Sequence, residues 1–223
     1  MFMKGVFNER PPQPRYKTIW NPKVVLDLLK KPGWYPARHL SLKKLTLKLT
    51  MLLLLTSGHR CETIRQLDID HMLNINKCYT FTLSGLIKQS RPGFKNPQPT
   101  FKEYVKDKRL CVHKYISVYI ERTKNLRGSQ SQLLLTFQKP HHPPTGSTVS
   151  RWVKSILKLA GVDTVLFGPH SCRAAATSAG VRGGVHVEDI MKGIGWSKQS
   201  TFANFYHKPL AQKQSLQDAV LNA

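Results

Sequence analysis

The chain has 223 residues, enough for one domain or for one domain plus a fragment. It carries 35 Lys and Arg against 12 Asp and Glu, a formal net charge of +23, and such an excess repels itself in a compact state unless a polyanion neutralises it. Nucleic acid is therefore the predicted partner, and the lack of a long basic amphipathic segment disfavours a membrane surface.

Simple sequence signals also exclude several classes of protein. The apolar run over residues 51–55 is far shorter than the roughly 20 residues that a bilayer span needs. Residues 1–15 are basic and have no apolar core, so they do not form a secretory signal. The four cysteines have no paired spacing, which disfavours a zinc site and a disulfide framework and predicts a reducing intracellular compartment. No cofactor is expected. They are Cys61, Cys78, Cys111 and Cys172.

The first third of the chain predicts a tail followed by helices. Residues 1–21 contain a cluster of prolines and are expected to form a tail or linker. Asn21 can cap a short helix over residues 22–30, because Pro is favoured at the first helical position. Ser41 starts a stronger helix with leucines at helical spacing, and Gly58 stands where a left-handed cap would end it.

A small antiparallel sheet is predicted after a further short helix over residues 62–67. Residues 79–83 alternate apolar and polar side chains, which favours a strand. Ser84 and Gly85 suggest a turn into a returning strand over residues 86–88, and residues 101–105 can add a third short strand.

The remainder is mostly helical. Pro169 opens one of these helices and Gly180 is expected to close it. Helices are predicted over residues 110–126, 150–160 and 170–179, with shorter pieces over 187–192 and 201–205. The predicted fold class is therefore α+β, mostly helical, with one small antiparallel sheet.

The residues that most directly suggest chemistry lie near the C-terminus. His170 and Arg173 are three residues apart and share one helix face. An indole N–H from Trp196 and a phenol from Tyr206, brought to that face, would complete a pocket for one phosphodiester. Arg60 adds a second guanidinium, whose planar fork can hold two phosphate oxygens and stays protonated.

Each of these residues also has an ordinary structural interpretation. Arg60 could be one of many surface arginines. Lys88, at the end of the predicted returning strand, could be a solvated lysine. Trp196 and Tyr206 could be core aromatics, and a single His-x-x-Arg pattern is weak. Their occurrence together, in this order, favours a functional site.

The order and spacing resemble the tyrosine recombinases, the phage integrase family, over residues 38–210. Three local sequences carry the resemblance: Thr56-Ser57-Gly58-His59-Arg60-Cys61-Glu62-Thr63, then Ser90-Arg91-Pro92-Gly93, and finally Gly195-Trp196-Ser197 followed by Ser200-Thr201-Phe202 and Phe205-Tyr206. The resemblance implies a catalytic domain at 38–210. It makes residues 1–37 a tail or remnant of a core-binding domain and residues 211–223 a C-terminal tail.

The resemblance also implies a reaction, DNA strand cleavage and rejoining through a 3′-phosphotyrosyl intermediate, without metal or ATP. Tyr206 is then the nucleophile, and Lys88 protonates the leaving 5′-oxygen. The residues implied to stabilise the charged transition state are Arg60, His170, Arg173 and Trp196. The implied DNA contacts are His59, Arg91 and Lys95.

Two positions depart from the family pattern. Many members carry a carboxylate three residues after the first arginine, where this chain has Thr63, with Glu62 one place early. Phe205 stands where the usual spacing from Trp196 would put the tyrosine, so Tyr206 requires a one-residue extension.

The resemblance sets the biological expectations and their rivals. These local sequences are similar to those of eukaryotic mobile-element recombinases of the DIRS, Ngaro and Crypton types. This similarity implies site-specific recombination or integration in the nucleus. The expected partner is double-stranded DNA, bound by a homotetramer whose protomers exchange a C-terminal segment, for which residues 210–223 are the candidate. A catalytically inactive DNA-binding protein derived from such an element is the main alternative, which Thr63 and the short N-terminal region favour. A type IB topoisomerase and a basic RNA-binding protein are further alternatives.

Overall fold

The fold is a helical domain with one small sheet, as the sequence predicts. The structure, a computed structural model, describes residues 14–85, 90, 93, 96–196 and 199–211. The helices in these residues are α1 (Pro22–Lys30), α2 (Leu42–Ser57), α3 (Cys61–Arg65), α4 (Val112–Thr123), α5 (Gly146–Leu159), α6 (Ser171–Arg182), α7 (Val187–Ile194) and α8 (Gln199–Phe205). None of these helices is long and apolar enough to cross a membrane.

Helix α2 lies at the centre of the domain. The Ser41 side chain accepts a hydrogen bond from the Lys44 backbone N–H, and Gly58 ends the helix with φ +65°, which confirms both predicted caps. Apolar side chains surround the helix, and Leu45, Leu49 and their neighbours are fully buried. Helices α4, α5 and α6 pack on α2, since a helix that is apolar all round must be covered on every side.

The N-terminal region is more integrated than its prolines suggest. Helix α1 has the predicted cap, because the Asn21 side chain accepts from the Lys23 N–H. The prediction of a tail or linker up to residue 21 is wrong for Ile19 and Trp20, which are 0% and 5% exposed. Ile19 pairs with Leu210 in a parallel bridge. The prediction failed because this burial depends on a partner far away in the sequence.

The sheet is antiparallel, but its first hairpin is not the predicted one. Its strands are β1 (Met72–Ile75), β2 (Cys78–Phe81) and β3 (Thr100–Lys102), in the order β1-β2-β3. Asn76 and Lys77 have φ of +50° and +58°, the left-handed pair of a type I′ turn. The partner of β2 thus precedes it. The returning strand predicted at 86–88 lies outside the described residues.

Strand β1 is not predicted from the sequence, because the apolar residues of this strand are exposed. Leu73 and Ile75 are 62% and 61% exposed, so β1 has no buried face that would produce a recognisable alternation. Its turn also lacks the glycine that marks most type I′ hairpins.

Two later helices differ in their ends from the prediction. Helix α5 begins at Gly146, not Ser150, because the Thr145 hydroxyl accepts from the Thr148 backbone N–H and caps the helix a turn earlier. Helix α6 runs through Gly180 to Arg182 instead of ending there. A Cβ at Gly180 would lie 3.2 Å from Ile190 Cδ1, so this glycine permits close packing of α7.

A buried lysine joins α1 and α2 in the core. Lys48 is fully buried, and its Nζ donates to the carbonyls of Leu29 at 2.7 Å and Trp34 at 2.8 Å. The same ammonium lies 4.3 Å from the centre of the Tyr115 ring. Burial lowers the pKa of Lys48 to about 7, because the charged form loses its hydration.

The lowered pKa predicts a stability that rises with pH. Between about pH 7 and the ordinary lysine pKa, the unfolded chain holds a proton that the folded chain has released, so the free energy of unfolding increases through this window. We expect the wild type to gain about 2 kcal/mol relative to Lys48→Met between roughly pH 6.5 and 9. Urea unfolding at several pH values measures the difference.

The exposed Lys43 on the same helix provides the control for the change in net charge. Lys43→Met should keep the wild-type pH dependence. An identical pH slope in the wild type and Lys48→Met would refute the assignment.

Candidate active site

Helix α6 carries the central arginine of the site. The helix begins at Ser171, directly after His170, whose φ of −63° and ψ of −22° already follow the helical path. His170 is exposed at this helix start, whereas Arg173, one turn further, points inward and is 3% exposed. The predicted pair therefore lies at one helix end but in two environments.

A tight turn brings Arg60 to the same region. Gly58 has φ +65°, and a Cβ there would lie 2.9 Å from Ile194 Cδ1 and 3.3 Å from Thr177 Cγ2. Only glycine fits both this backbone and this gap. The chain then places His59 in the interior at 2% exposure and Arg60 at the cap of α3, with its Nη1 buried.

The Arg173 guanidinium is buried with no hydrogen-bond acceptor. Its Nε, Nη1 and Nη2 all lack partners among the described residues. Burial, together with the charge of Arg60, lowers the pKa of Arg173 to about 9, and Tyr206 acts in the opposite direction. A buried cation without an anion is costly, so this position is prepared for a negatively charged ligand.

Two aromatic rings form the wall beside Arg173. Its Cζ lies 4.4 Å from the ring centre of Trp196 and 5.5 Å from that of Tyr206. The two rings stack on each other with centres 4.4 Å apart and planes 29° apart. Gly195, at φ +77°, ends α7, and Tyr206 follows the end of α8. These two helix ends thus bring the predicted nucleophile to the predicted arginine.

His59 contributes no charge to this pocket near neutral pH. Burial, followed by the charges of Arg173 and Arg60, lowers the pKa of His59 to about 3. The His59 ring is therefore neutral near pH 7, and the charges of Arg173 and Arg60 both act against its protonation.

A second buried arginine shows that burial by itself does not mark the site. Arg127 is 6% exposed, but its Nη atoms donate to the carbonyls of Gln132 and Leu133 and to the Thr123 hydroxyl. Arg127 therefore has a structural function. Arg173 differs because its guanidinium nitrogens have no such acceptors.

The remaining residues named in the sequence analysis divide into those that the structure describes and those that it does not. Lys88, Arg91 and Lys95 lie outside the described residues. Lys77, which flanks the same segment, pairs with Glu103 at 2.9 Å. At the departures near Arg60, Thr63 is buried and Glu62 pairs with Arg65.

Sequence reasoning missed one residue that contacts the nucleophile segment. Ser178 is not among the predicted site residues, yet its hydroxyl donates to the Tyr206 carbonyl at 2.7 Å and accepts from the Lys208 N–H at 2.9 Å. The sequence offered only a weak signal, a serine among the alanines of this helix.

Comparison with known families agrees with this geometry. Residues 36–213 match the model of the phage integrase family. The chain belongs to the phage integrase family. Its sequence has no match among curated proteins.

Solved recombinase structures share the fold. XerH site-specific recombinase, bound to palindromic difH substrate in a post-cleavage complex, superposes with a TM-score of 0.63 at 17% identity, covering 83% of this chain and 48% of that one. XerA recombinase gives 0.62 at 15% identity, covering 97% and 67%. A lambda integrase dimer bound to a COC′ core site gives 0.56 at 12% identity, covering 96% and 71%. The chain thus spans about half the length of XerH.

The unpartnered guanidinium predicts opposite effects for two arginine variants. Without an anion, Arg173→Met should raise the free energy of unfolding by about 1–2 kcal/mol, because it removes an uncompensated buried charge. Phosphate should raise the unfolding midpoint of the wild type but much less that of Arg173→Met. Thermal unfolding in phosphate and in chloride of equal ionic strength measures both effects.

Arg127→Met is the matched control. It should lower the free energy of unfolding by about 2–4 kcal/mol, because satisfied hydrogen bonds are lost, and should keep the response to phosphate. A phosphate response that is equal in Arg173→Met and the wild type would contradict an anion site at Arg173.

Proposed function

We propose that this protein cleaves and rejoins DNA strands through a covalent link to Tyr206. The observation that carries the proposal is the buried Arg173 guanidinium, unpartnered and 5.5 Å from the Tyr206 ring, with Arg60 beside it. Two guanidinium groups, with no carboxylate paired to Arg173 among the described residues, suit a phosphodiester. Membership of the phage integrase family and the net charge of +23 support DNA as its source.

The proposed reaction is a transesterification at phosphorus. The Tyr206 oxygen attacks a DNA phosphate, a P–O bond forms to the phenol, and the bond to the 5′-oxygen breaks. His170, exposed at the start of α6, takes the phenol proton or binds a phosphate oxygen, and Lys88 supplies a proton to the leaving 5′-oxygen. A 5′-hydroxyl from another strand then reverses the step. The phosphotyrosyl bond keeps the energy of the phosphodiester, so no ATP is consumed.

Charge stabilisation is the main contribution of the buried groups. Arg60 and Arg173 face the charge that grows on the phosphate oxygens, and the Trp196 indole N–H can donate to one of them. Because Arg173 is held by packing before any ligand binds, little reorganisation is needed at the transition state.

DNA contacts outside the reaction centre are proposed for His59, Arg91 and Lys95. Arg91 and Lys95 would pair with backbone phosphates. Since His59 is buried and neutral near pH 7, its contribution would be a hydrogen bond or the support of Arg60, not a charge.

The biological setting is proposed as recombination or integration of a mobile element by a DNA-bound tetramer, in the nucleus of a eukaryote. The Tn1549 transposon integrase, solved with transposon right end DNA, shares the fold at a TM-score of 0.56 and 14% identity. A lambda integrase tetramer bound to a Holliday junction shares it at 0.53 and 12% identity. Residues 38–210 form the proposed catalytic domain.

A catalytically inactive DNA-binding protein remains the second candidate. Thr63 replaces the carboxylate that many family members carry, and Glu62 is engaged with Arg65. This candidate predicts DNA binding without a covalent adduct. Relaxation of supercoiled DNA by a monomer would instead indicate a topoisomerase.

The nucleophile can be tested by trapping. A pool of nicked duplexes with random sequence prevents rejoining, because the short leaving fragment diffuses away. We expect a protein–DNA adduct on a denaturing gel with the wild type and none with Tyr206→Phe. Tyr104→Phe, at a tyrosine that is 44% exposed, is the matched control and should retain the adduct.

The two candidates give different outcomes in this assay. Tight DNA binding without an adduct would favour the inactive protein. An adduct that persists in Tyr206→Phe would show that another group is the nucleophile.

The leaving-group role of Lys88 predicts a rescue. Lys88→Met should slow cleavage by about 10²–10⁴-fold, the usual contribution of a general acid. A substrate with sulfur in place of the bridging 5′-oxygen should restore the rate, since a thiolate leaves without protonation.

Lys77→Met is the control, because Lys77 is paired with Glu103. It should cleave both substrates at wild-type rates. A Lys88→Met enzyme that is equally slow with oxygen and sulfur would contradict the general-acid assignment.

A further inference from the structure

The segment that follows the nucleophile is held from two sides. On one side, the fully buried Ser178 of α6 donates to the Tyr206 carbonyl at 2.7 Å and accepts from the Lys208 N–H at 2.9 Å. This hydroxyl therefore joins two residues of the segment to the helix that carries Arg173. The separation of 28 residues in the chain makes it a tertiary contact, not a local cap.

On the other side lies the N-terminal segment. The Ile19 N–H donates to the Pro209 carbonyl at 2.8 Å, and the Ala211 N–H donates to the Ile19 carbonyl at 2.7 Å. The adjacent Trp20 donates its indole N–H to Ser171 Oγ at 2.8 Å, in a buried contact at the first residue of α6. Residues 19 and 20 thus touch both the start of the arginine helix and the chain after the nucleophile.

These contacts leave little freedom for Tyr206. Its side chain stacks on Trp196, its carbonyl is bonded to Ser178, and residues 209–211 are paired with Ile19. The Lys208 ammonium, also buried, donates to the Asn204 carbonyl and closes the end of α8. The tyrosine is therefore presented by a chain that is tied down immediately before and after it.

We infer that Ser178 is a positioning residue for the nucleophile, and that Ser178 and Ile19 together form a latch that keeps Tyr206 against Arg173. The inference rests on the proposed function, because a position is useful only if Tyr206 attacks phosphorus. Ser178 touches neither substrate nor the phenol. Its effect would come from the geometry of attack, where a misplacement of about 1 Å can cost 10²-fold in rate.

The decisive variant is Ser178→Ala, which removes one oxygen and leaves the packing of α6 almost unchanged. At saturating DNA, we expect the first-order rate of adduct formation to fall by about tenfold to a hundredfold. The dissociation constant for DNA should change by less than about twofold, because phosphate contacts determine affinity. A loss confined to the rate constant is the signature of positioning.

Thr177→Val is the matched control on the same helix. Thr177 is also buried, and its hydroxyl donates to the carbonyls of Arg173 and Ala174 within α6, with no bond to the nucleophile segment. Thr177→Val should lower the free energy of unfolding by about as much as Ser178→Ala does. It should leave the rate of adduct formation at the wild-type value. Equal losses in both variants would overturn the inference, as would a wild-type rate in Ser178→Ala.

A second measurement is independent of catalysis. Amide hydrogen exchange in the full-length protein should accelerate at Lys208, whose N–H loses its acceptor, and at Ala211 in Ser178→Ala but not in Thr177→Val. If the wild type forms no adduct, the proposed function fails while this measurement still tests the latch. Unchanged exchange at both amides would refute the latch itself.

A third variant protects the test against misfolding. Ser178→Cys retains the volume of the side chain with a weaker donor. We expect it to fold and to fall between the wild type and Ser178→Ala in both adduct rate and amide exchange. A cysteine variant indistinguishable from the wild type in both measurements would contradict the inference.

Discussion

The site depends on one costly arrangement, a guanidinium buried beside two stacked aromatic rings and without an anionic partner among the described residues. Arg173 lies 4.4 Å from the Trp196 ring, and the interaction with the π-face offsets only part of the lost hydration. The charge persists near neutral pH because burial lowers the pKa of Arg173 only to about 9. Such a group gains most when a phosphate arrives, since the cost of burial has already been met in folding.

The rigid surroundings come from α2 and the elements packed on it. Its leucines are covered on all sides, and Gly58 turns the chain within a gap that no other side chain fits. Arg60 and Arg173 are therefore attached to one core and not to separate loops. Elsewhere in this core, Lys48 and Arg127 show the ordinary solution for a buried cation, in which backbone carbonyls accept hydrogen bonds from the charged group. Arg173 departs from that solution at the place where an anion is expected.

The proposed nucleophile, Tyr206, lies in a part of the structure that few contacts hold. Helix α8 has seven residues, and the chain beyond it is held by a few specific contacts. Ser178 and Ile19 supply the most direct of these. Ile19 and Trp20 precede residue 36, where the family match begins, yet they are as buried as the core of the matched region. The folded core of this chain therefore includes residues outside the family match, and their hydrogen bonds connect the N-terminal segment to the chain that follows Tyr206.

Local patterns in the sequence determined much of this protein. The sequence predicted the caps of α1 and α2 and the mostly helical outline, because capping and periodicity involve residues close together in the chain. It also indicated the family, through the order and spacing of His170, Arg173, Trp196 and Tyr206.

The tertiary structure decided the features that depend on partners distant in the sequence. The pairing of β1 with β2, the passage of α6 through Gly180 and the burial of Ile19 each require a contact that no short window contains. The same holds for the contrast between Arg173 and Arg127. Both are arginines in a basic chain, and only the folded arrangement distinguishes them, because it gives Arg127 backbone carbonyls as acceptors and places Arg173 beside two stacked aromatic rings.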